Sequence, residues 1–416
     1  MTAFQTLALL LTFAAIGAYI NSKFLKLPST IGLMAVTLLL SLIAIELKEL
    51  GALNLTEAST FIAHIDFSGL FLHGLLSFLL FAGALHVDLS ELKKFRVLIA
   101  ILATVSVVVA TFVTGGMVWQ TVNALGFSFP YIDALLFGAL IAPTDPVAVL
   151  DILKKTGLSK NLRVKIASES LFNDGVGVVV FLALLEMNAG RLMPNILDIT
   201  ALLIWKGLGS LILGLTLGWL TFKMLATIDD YKVEVLLTLA LVAGGYSLAE
   251  VINMSAPITM VLAGLYIGNH GVRGMSERTR QNLFMFWDLL DEILNALLFV
   301  FVGFEVMVIT IDAPYLALGL MAIISMLTGR FISVALPVLI MRSLHFRFER
   351  GTIRLLTWGG LRGGISIAMA LALPQGPNKE LIIAMTYIVV VFSILFQGTT
   401  FQHAARLISS SSKSAA

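Results

Sequence analysis

The sequence is interrupted by charge so seldom that it divides into thirteen mostly apolar stretches, near 4–21, 31–47, 67–86, 97–121, 131–153, 161–188, 198–222, 233–252, 256–269, 282–308, 314–341, 351–373 and 381–405. About 20 apolar residues cross a bilayer as a helix, so the pattern predicts an all-α polytopic membrane protein with about thirteen spans. Composition agrees: of 416 residues, 58% are hydrophobic and 12% charged, and the mean hydropathy is +0.98. A water-soluble domain needs roughly twice that charge to cover its surface. The connections are too short for a further folded domain, so residues 1–405 read as a single transmembrane unit, followed by a short disordered cytoplasmic tail at 406–416. The first stretch lacks a small-residue cleavage site after it and reads as a retained span.

Lys and Arg collect in cytoplasmic loops. Of the 27 basic residues, Lys48, Arg191, Lys206 and Lys379 fall in one set of alternate loops, Arg330 and Arg362 fall inside apolar stretches, and the remainder all fall in the other set or the C-terminus. That alternation predicts an outside N-terminus and a cytoplasmic C-terminus in a bacterial-type inner (plasma) membrane. The absence of cysteine excludes disulfides and thiolate chemistry, six scattered histidines show no zinc spacing, and a net charge of +2 gives no basic stripe for nucleic acid. No cofactor is expected.

Ionisable groups at membrane depth are costly and mark function. Three clusters stand there. Pro143-Thr144-Asp145-Pro146 sits within the fifth stretch, where two prolines remove amide donors and must break the helix. Freed backbone in a membrane is tolerated where it lines a protein cavity, which makes a broken helix carrying an acid a transporter-like feature. In the sixth stretch Glu169, Ser170, Asn173 and Asp174 share one polar stripe, followed by Gly175 and Gly177. In the twelfth, Gly359, Gly360, Gly363 and Gly364 surround Leu361 and Arg362 and permit a second unwound segment, with Glu169 the candidate anion for the buried Arg362. Seven spans separate the two interrupted stretches, so they run in opposite directions, as in inverted repeats with two broken crossing helices. Asp145 suits the positive helix ends of such a crossing and Arg362 the negative ones. Arg330 reads as structural, pairing with an acid or a carbonyl. Asp288, Asp291, Glu292 and Asn295 read as the cytoplasmic end of the tenth span, with the last three as funnel or interface groups.

These motifs, with the run from Asp291 to Val306, resemble in order and spacing the monovalent cation/proton antiporter superfamily, and within it the NhaP-type sodium/proton antiporters. The resemblance implies the NhaA-like antiporter fold, a homodimer, and a division into a core domain (about 67–188 plus 314–405) and a dimer domain formed by the remaining helices. It implies Asp174 as the carboxylate that binds the monovalent cation or the proton, Ser170 and the Thr144 backbone as neighbouring ligands, Asn173 as the residue orienting the crossover, Asp145 as its charge compensator, and Glu169 with Arg362 as a structural ion pair. One position departs: the family's Phe-Glu-Gly reads Phe81-Ala82-Gly83 here, so that carboxylate ligand is missing and its place falls to water or another group. His86 follows one turn later and receives no assigned role.

With Asn at 173, the Asn-Asp pair holds one titratable acid, which matches one proton exchanged for one cation. The expected function is therefore secondary active, electroneutral exchange of Na+, or Li+, for H+ by alternating access, with those ions, membrane lipid and a second copy of the chain as partners. A K+/H+ antiporter, a channel, or a non-transporting ion sensor on the same fold are the alternatives. An enzyme is not expected, because no hydrolase motif is present.

Overall fold

The structure, a computed structural model, describes residues 3–51, 69, 71–145, 160–190, 196–271, 275–309, 312–346, 348 and 351–413. Among them all regular structure is helical, in sixteen α-helices and a few short π-helical turns. In chain order these are α1 (Ala3–Ile20), α2 (Ser29–Glu49), α3 (Leu76–Leu85), α4 (Leu89–Ala103), α5 (Val105–Ala124), α6 (Tyr131–Ile141), α7 (Lys160–Asn188) and α8 (Ile196–Leu225). The second half comprises α9 (Tyr231–Val251), α10 (Ala256–His270), α11 (Glu277–Glu305), α12 (Ala313–Ser343), α13 (Thr352–Trp358), α14 (Gly364–Leu371), α15 (Lys379–Val391) and α16 (Gly398–Lys413). Among the described residues, eight helical stretches are long and apolar enough to cross a membrane, while α3 and α6 are shorter apolar helices.

The helices fall on the predicted apolar stretches, and the differences have local causes. Asp88 accepts a hydrogen bond from the Ser90 amide, which starts α4 eight residues before the predicted 97. Thr104, at φ −113°, kinks the fourth stretch into α4 and α5. Ser276 caps α11 at the Thr279 amide and starts it ahead of the predicted 282. Asp229, in the loop before α9, accepts from the Ser276 and Thr279 hydroxyls, and these bonds hold its carboxyl below the usual carboxylate range. A depressed pKa of this kind contributes stability at neutral pH that is lost as pH falls through the folded value. At the C-terminal end, α16 runs through Arg406 to Lys413. Once α16 is nucleated against the packed end of α15, good helix formers at Ala404, Ala405 and Arg406 propagate it.

Small residues set the packing, as membrane helices require. Gly264 and Gly268 of α10 lie against the backbones of Phe81 and Leu85, bringing α3 into direct backbone contact with α10. Trp287 of α11 is fully buried between Phe81 and Phe78 and donates its indole N–H to Thr238 Oγ1 at 3.1 Å, tying α11 to α9. Helix α12 contains Pro337, whose missing amide orphans the Ser333 carbonyl four residues earlier. The Ser106 hydroxyl of α5 donates to that carbonyl at 2.6 Å. The debt left by a proline in one helix is met by a serine in another, which lets α12 run unbroken through 31 residues.

Candidate functional site

Helix α6 stops at Ile141, ahead of Pro143, and residues 142–145 leave it as irregular backbone. Pro146, the second proline of the motif, and the rest of the fifth stretch to 153 lie outside the described residues. The other break separates α13 from α14 over Gly359–Gly363. The two breaks meet, for the Asp145 amide donates to the Leu361 carbonyl at 2.8 Å. Non-helical backbone is thus paired across the crossing, as a low-dielectric interior demands.

Side chains complete the accounting. Asn173 of α7 accepts from the Thr144 amide at 3.2 Å through Oδ1 and donates to Thr144 Oγ1 at 2.8 Å through Nδ2. Thr144 Oγ1 is also bonded to Ser170 Oγ at 2.9 Å. Arg362 Nη1 donates to the carbonyls of Ala142 at 2.8 Å and Pro143 at 2.7 Å, the negative end of α6. Its own amide donates to Ser393 Oγ, which in turn bonds Gln397 Oε1, both on the π-helical turn Phe392–Gln397 that follows α15. The Asp145 carboxylate lies against Gly363, the residue that opens α14, where a methyl group would strike it. Asp145 and Arg362 therefore stand at helix ends of opposite sign.

The ion pair differs from the expectation. Glu169 does not take Arg362 as its salt-bridge partner: its Oε1 lies 2.6 Å from Arg330 Nη1, with both side chains buried. The guanidinium of Arg362 is committed to the end of α6, whereas Arg330 reaches across from α12 and also donates, through Nε and Nη2, to the Leu356 carbonyl near the end of α13. Each interrupted helix thus has an arginine on its terminal carbonyls, and the acid belongs to the second of these.

Asp174 follows Asn173 on α7, is 4% exposed, and has its Oδ1 buried without a hydrogen-bond partner. It opens onto a cavity of about 370 Å³ that Asp145, Asp288, Asp291 and Asn295 also line, together with Ala82, Gly83 and His86 of α3 and its end. The wall formed by α11 was only partly legible: Asp291 and Asn295 stand one turn apart on one helix face, but the spacing does not say what that face meets. His86, given no role from sequence, lines this cavity at the end of α3. Its Nδ1 bonds the Ala82 carbonyl at 2.9 Å, and its Nε2 lies 3.1 Å from Asp288 Oδ1. A second cavity of about 740 Å³, lined by Asp88, Lys93, His270 and Arg280, begins at the same histidine. At position 82, where the family's glutamate would stand, the wall is apolar.

Gly177 lets the Pro143 ring rest directly on α7. Gly177→Ala puts a methyl into that ring, and overpacking of this kind costs about 1–3 kcal/mol. The expected result is a lowered melting temperature together with slowed transport, measured by thermal unfolding in detergent and by flux in liposomes. Unchanged values in both would remove the contact from the account.

Comparison with known proteins follows the same lines. The sequence profile of the family "Sodium/hydrogen exchanger, transmembrane" matches residues 9–407. The Na+/H+ antiporter NhaP of Pseudomonas aeruginosa is 46% identical over 413 residues, covering 98% of this chain and 96% of that protein. The Na+/H+ antiporter NhaH of Halobacillus dabanensis is 32% identical over 404 residues, covering 95% of each. Among solved structures, the sodium proton antiporter MjNhaP1 of Methanocaldococcus jannaschii superposes with a TM-score of 0.75 at 21% identity, over 99% of this chain and 98% of that one, so the fold is that of this antiporter. The chain belongs to the transmembrane sodium/hydrogen exchanger family.

Proposed function

We propose that this protein exchanges Na+, and also Li+, for H+ one for one, with Asp174 as the group for which the two compete. The observation that carries the reading is the buried, unpartnered Oδ1 of Asp174, placed beside two crossed helix breaks and open to an acid-lined cavity. A carboxylate stripped of water is costly unless a charge or a proton neutralises it. The empty, charged site is therefore the form least able to cross, and exchange follows without an energy source other than the two gradients. Ser170 and the Thr144 backbone supply oxygen ligands, with the Ser170 and Thr144 hydroxyls bonded to each other, Asn173 and Asp145 keep the break in shape, and water or the cavity wall takes the place of the ligand absent at Ala82. Relatives aligned over nearly their whole length are named Na+/H+ antiporters, which supports Na+ over K+ as cargo.

In this reading the chain crosses a bacterial plasma membrane about thirteen times, with its N-terminus outside and its C-terminus in the cytoplasm. It acts as a homodimer in which a core (67–188 and 314–405) moves against the remaining helices. The test is a proteoliposome with an imposed pH gradient. Added Na+ or Li+ is expected to dissipate the gradient, and clamping the membrane potential at 0 or −100 mV is expected to leave the final ion ratio unchanged. A potential-dependent end point would exclude one-for-one coupling.

A further inference from the structure

One face of α11 lines the cavity beside Asp174 through Asp291, Asn295 and Leu298. Leu298 is the last α11 residue on that lining; it is buried and seated on Gly364, the first residue of α14, where an added methyl would meet it. The helix continues, and its period returns the same face at Val302 and Glu305, since residues seven apart nearly eclipse one another. Glu305 lies about 10 Å past Leu298 along the axis. It is 5% exposed, and its Oε2 is buried with no hydrogen-bond partner. Tyr387 of α15 is 2% exposed, its hydroxyl also lacks a hydrogen-bond partner, and it lies within electrostatic reach of Glu305. An apolar residue would fill this position at no such cost, as Val302 and Phe304 do on the same helix.

Resting on the exchange reading above, we infer that Glu305 is a transit site for the transported monovalent cation on the side of Asp174 away from the acid-lined cavity. Asp291 and Glu305 then stand at the two ends of one path along α11, with Leu298 between them. When α14 and α15 withdraw from α11, the contact at Leu298 parts and the carboxylate of Glu305 and the hydroxyl of Tyr387 face water, offering oxygen ligands to a partly hydrated cation. The unpaired oxygens are the resting form of a site that is shut in this conformation.

The test uses the full chain in oriented proteoliposomes. In E305Q the apparent KM for Na+ is expected to rise about tenfold when Na+ is supplied from the side opposite the cavity, and to change less than twofold from the cavity side, because the lost charge concentrates the cation only locally. E305D is expected to restore most of the loss, which a merely structural role would not predict. The chain contains no cysteine, so V302C gives a single thiol that leaves the carboxylate in place. A membrane-impermeant thiol reagent is expected to label V302C only from the side opposite to that which labels D291C. Equal KM values for E305Q and wild type from both sides, or labelling of V302C from the D291C side, would overturn the inference. Should wild type fail to exchange Na+ at all, the exchange reading itself falls; a normal wild type beside an unaffected E305Q removes only the role of Glu305.

Discussion

Asp174→Asn is expected to lower Na+-driven proton movement at least about 100-fold, equivalent to about 2.7 kcal/mol at the limiting step, while leaving the folded protein intact. The substitution keeps size and shape and removes only the charge for which Na+ and H+ compete. Oδ1 of Asp174 has no hydrogen-bond partner to lose. Burial disfavours the charged carboxylate, so the melting temperature is expected to hold or rise when that charge is removed. Flux assays and thermal unfolding on the same preparation separate the two effects. Normal exchange by this variant would end the proposal that the cation and the proton share this side chain, whatever the remainder of the site looks like.

The largest expected loss of stability lies at Arg330 of α12, the ion-pair partner of Glu169. Its guanidinium faces Glu169 at 2.6 Å and holds the Leu356 carbonyl, so Arg330→Ala abandons both a buried carboxylate and a helix end. Breaking such a pair from one side costs roughly 3–5 kcal/mol. A drop in melting temperature is expected, and the double variant Glu169→Gln with Arg330→Met is expected to recover much of it, because no charge then remains to be compensated. The comparison isolates the cause: if the double variant is as unstable as the single one, shape and not charge holds this part of the core.

How far the sequence led follows from what kind of information each feature needs. The breaks at Pro143 and around Gly359 were legible because proline and clustered glycine act on their own backbone, wherever they are placed. The stripe of Glu169, Ser170, Asn173 and Asp174 was legible because helical period fixes which residues share a face. The partner of Glu169 was not. Two buried arginines, Arg330 and Arg362, had equal chemical claim to it, and only the positions of the helix ends they cap decide between them. The same limit applies to α11: its acids were visible, but whether they met a cavity, a partner or lipid depended on the packing of α3 and α14 against them.

The bond between Ser106 and the Ser333 carbonyl has a consequence for how this chain can drift over generations. The serine is useful only while Pro337 withholds its amide, and the proline is harmless only while the serine answers it. Neither codon is free to wander alone: a lineage that regains an amide at 337 releases 106 from any duty, whereas one that loses the hydroxyl first passes through a weakened ancestor. Two sites more than two hundred positions apart in the gene are in this sense inherited as one character.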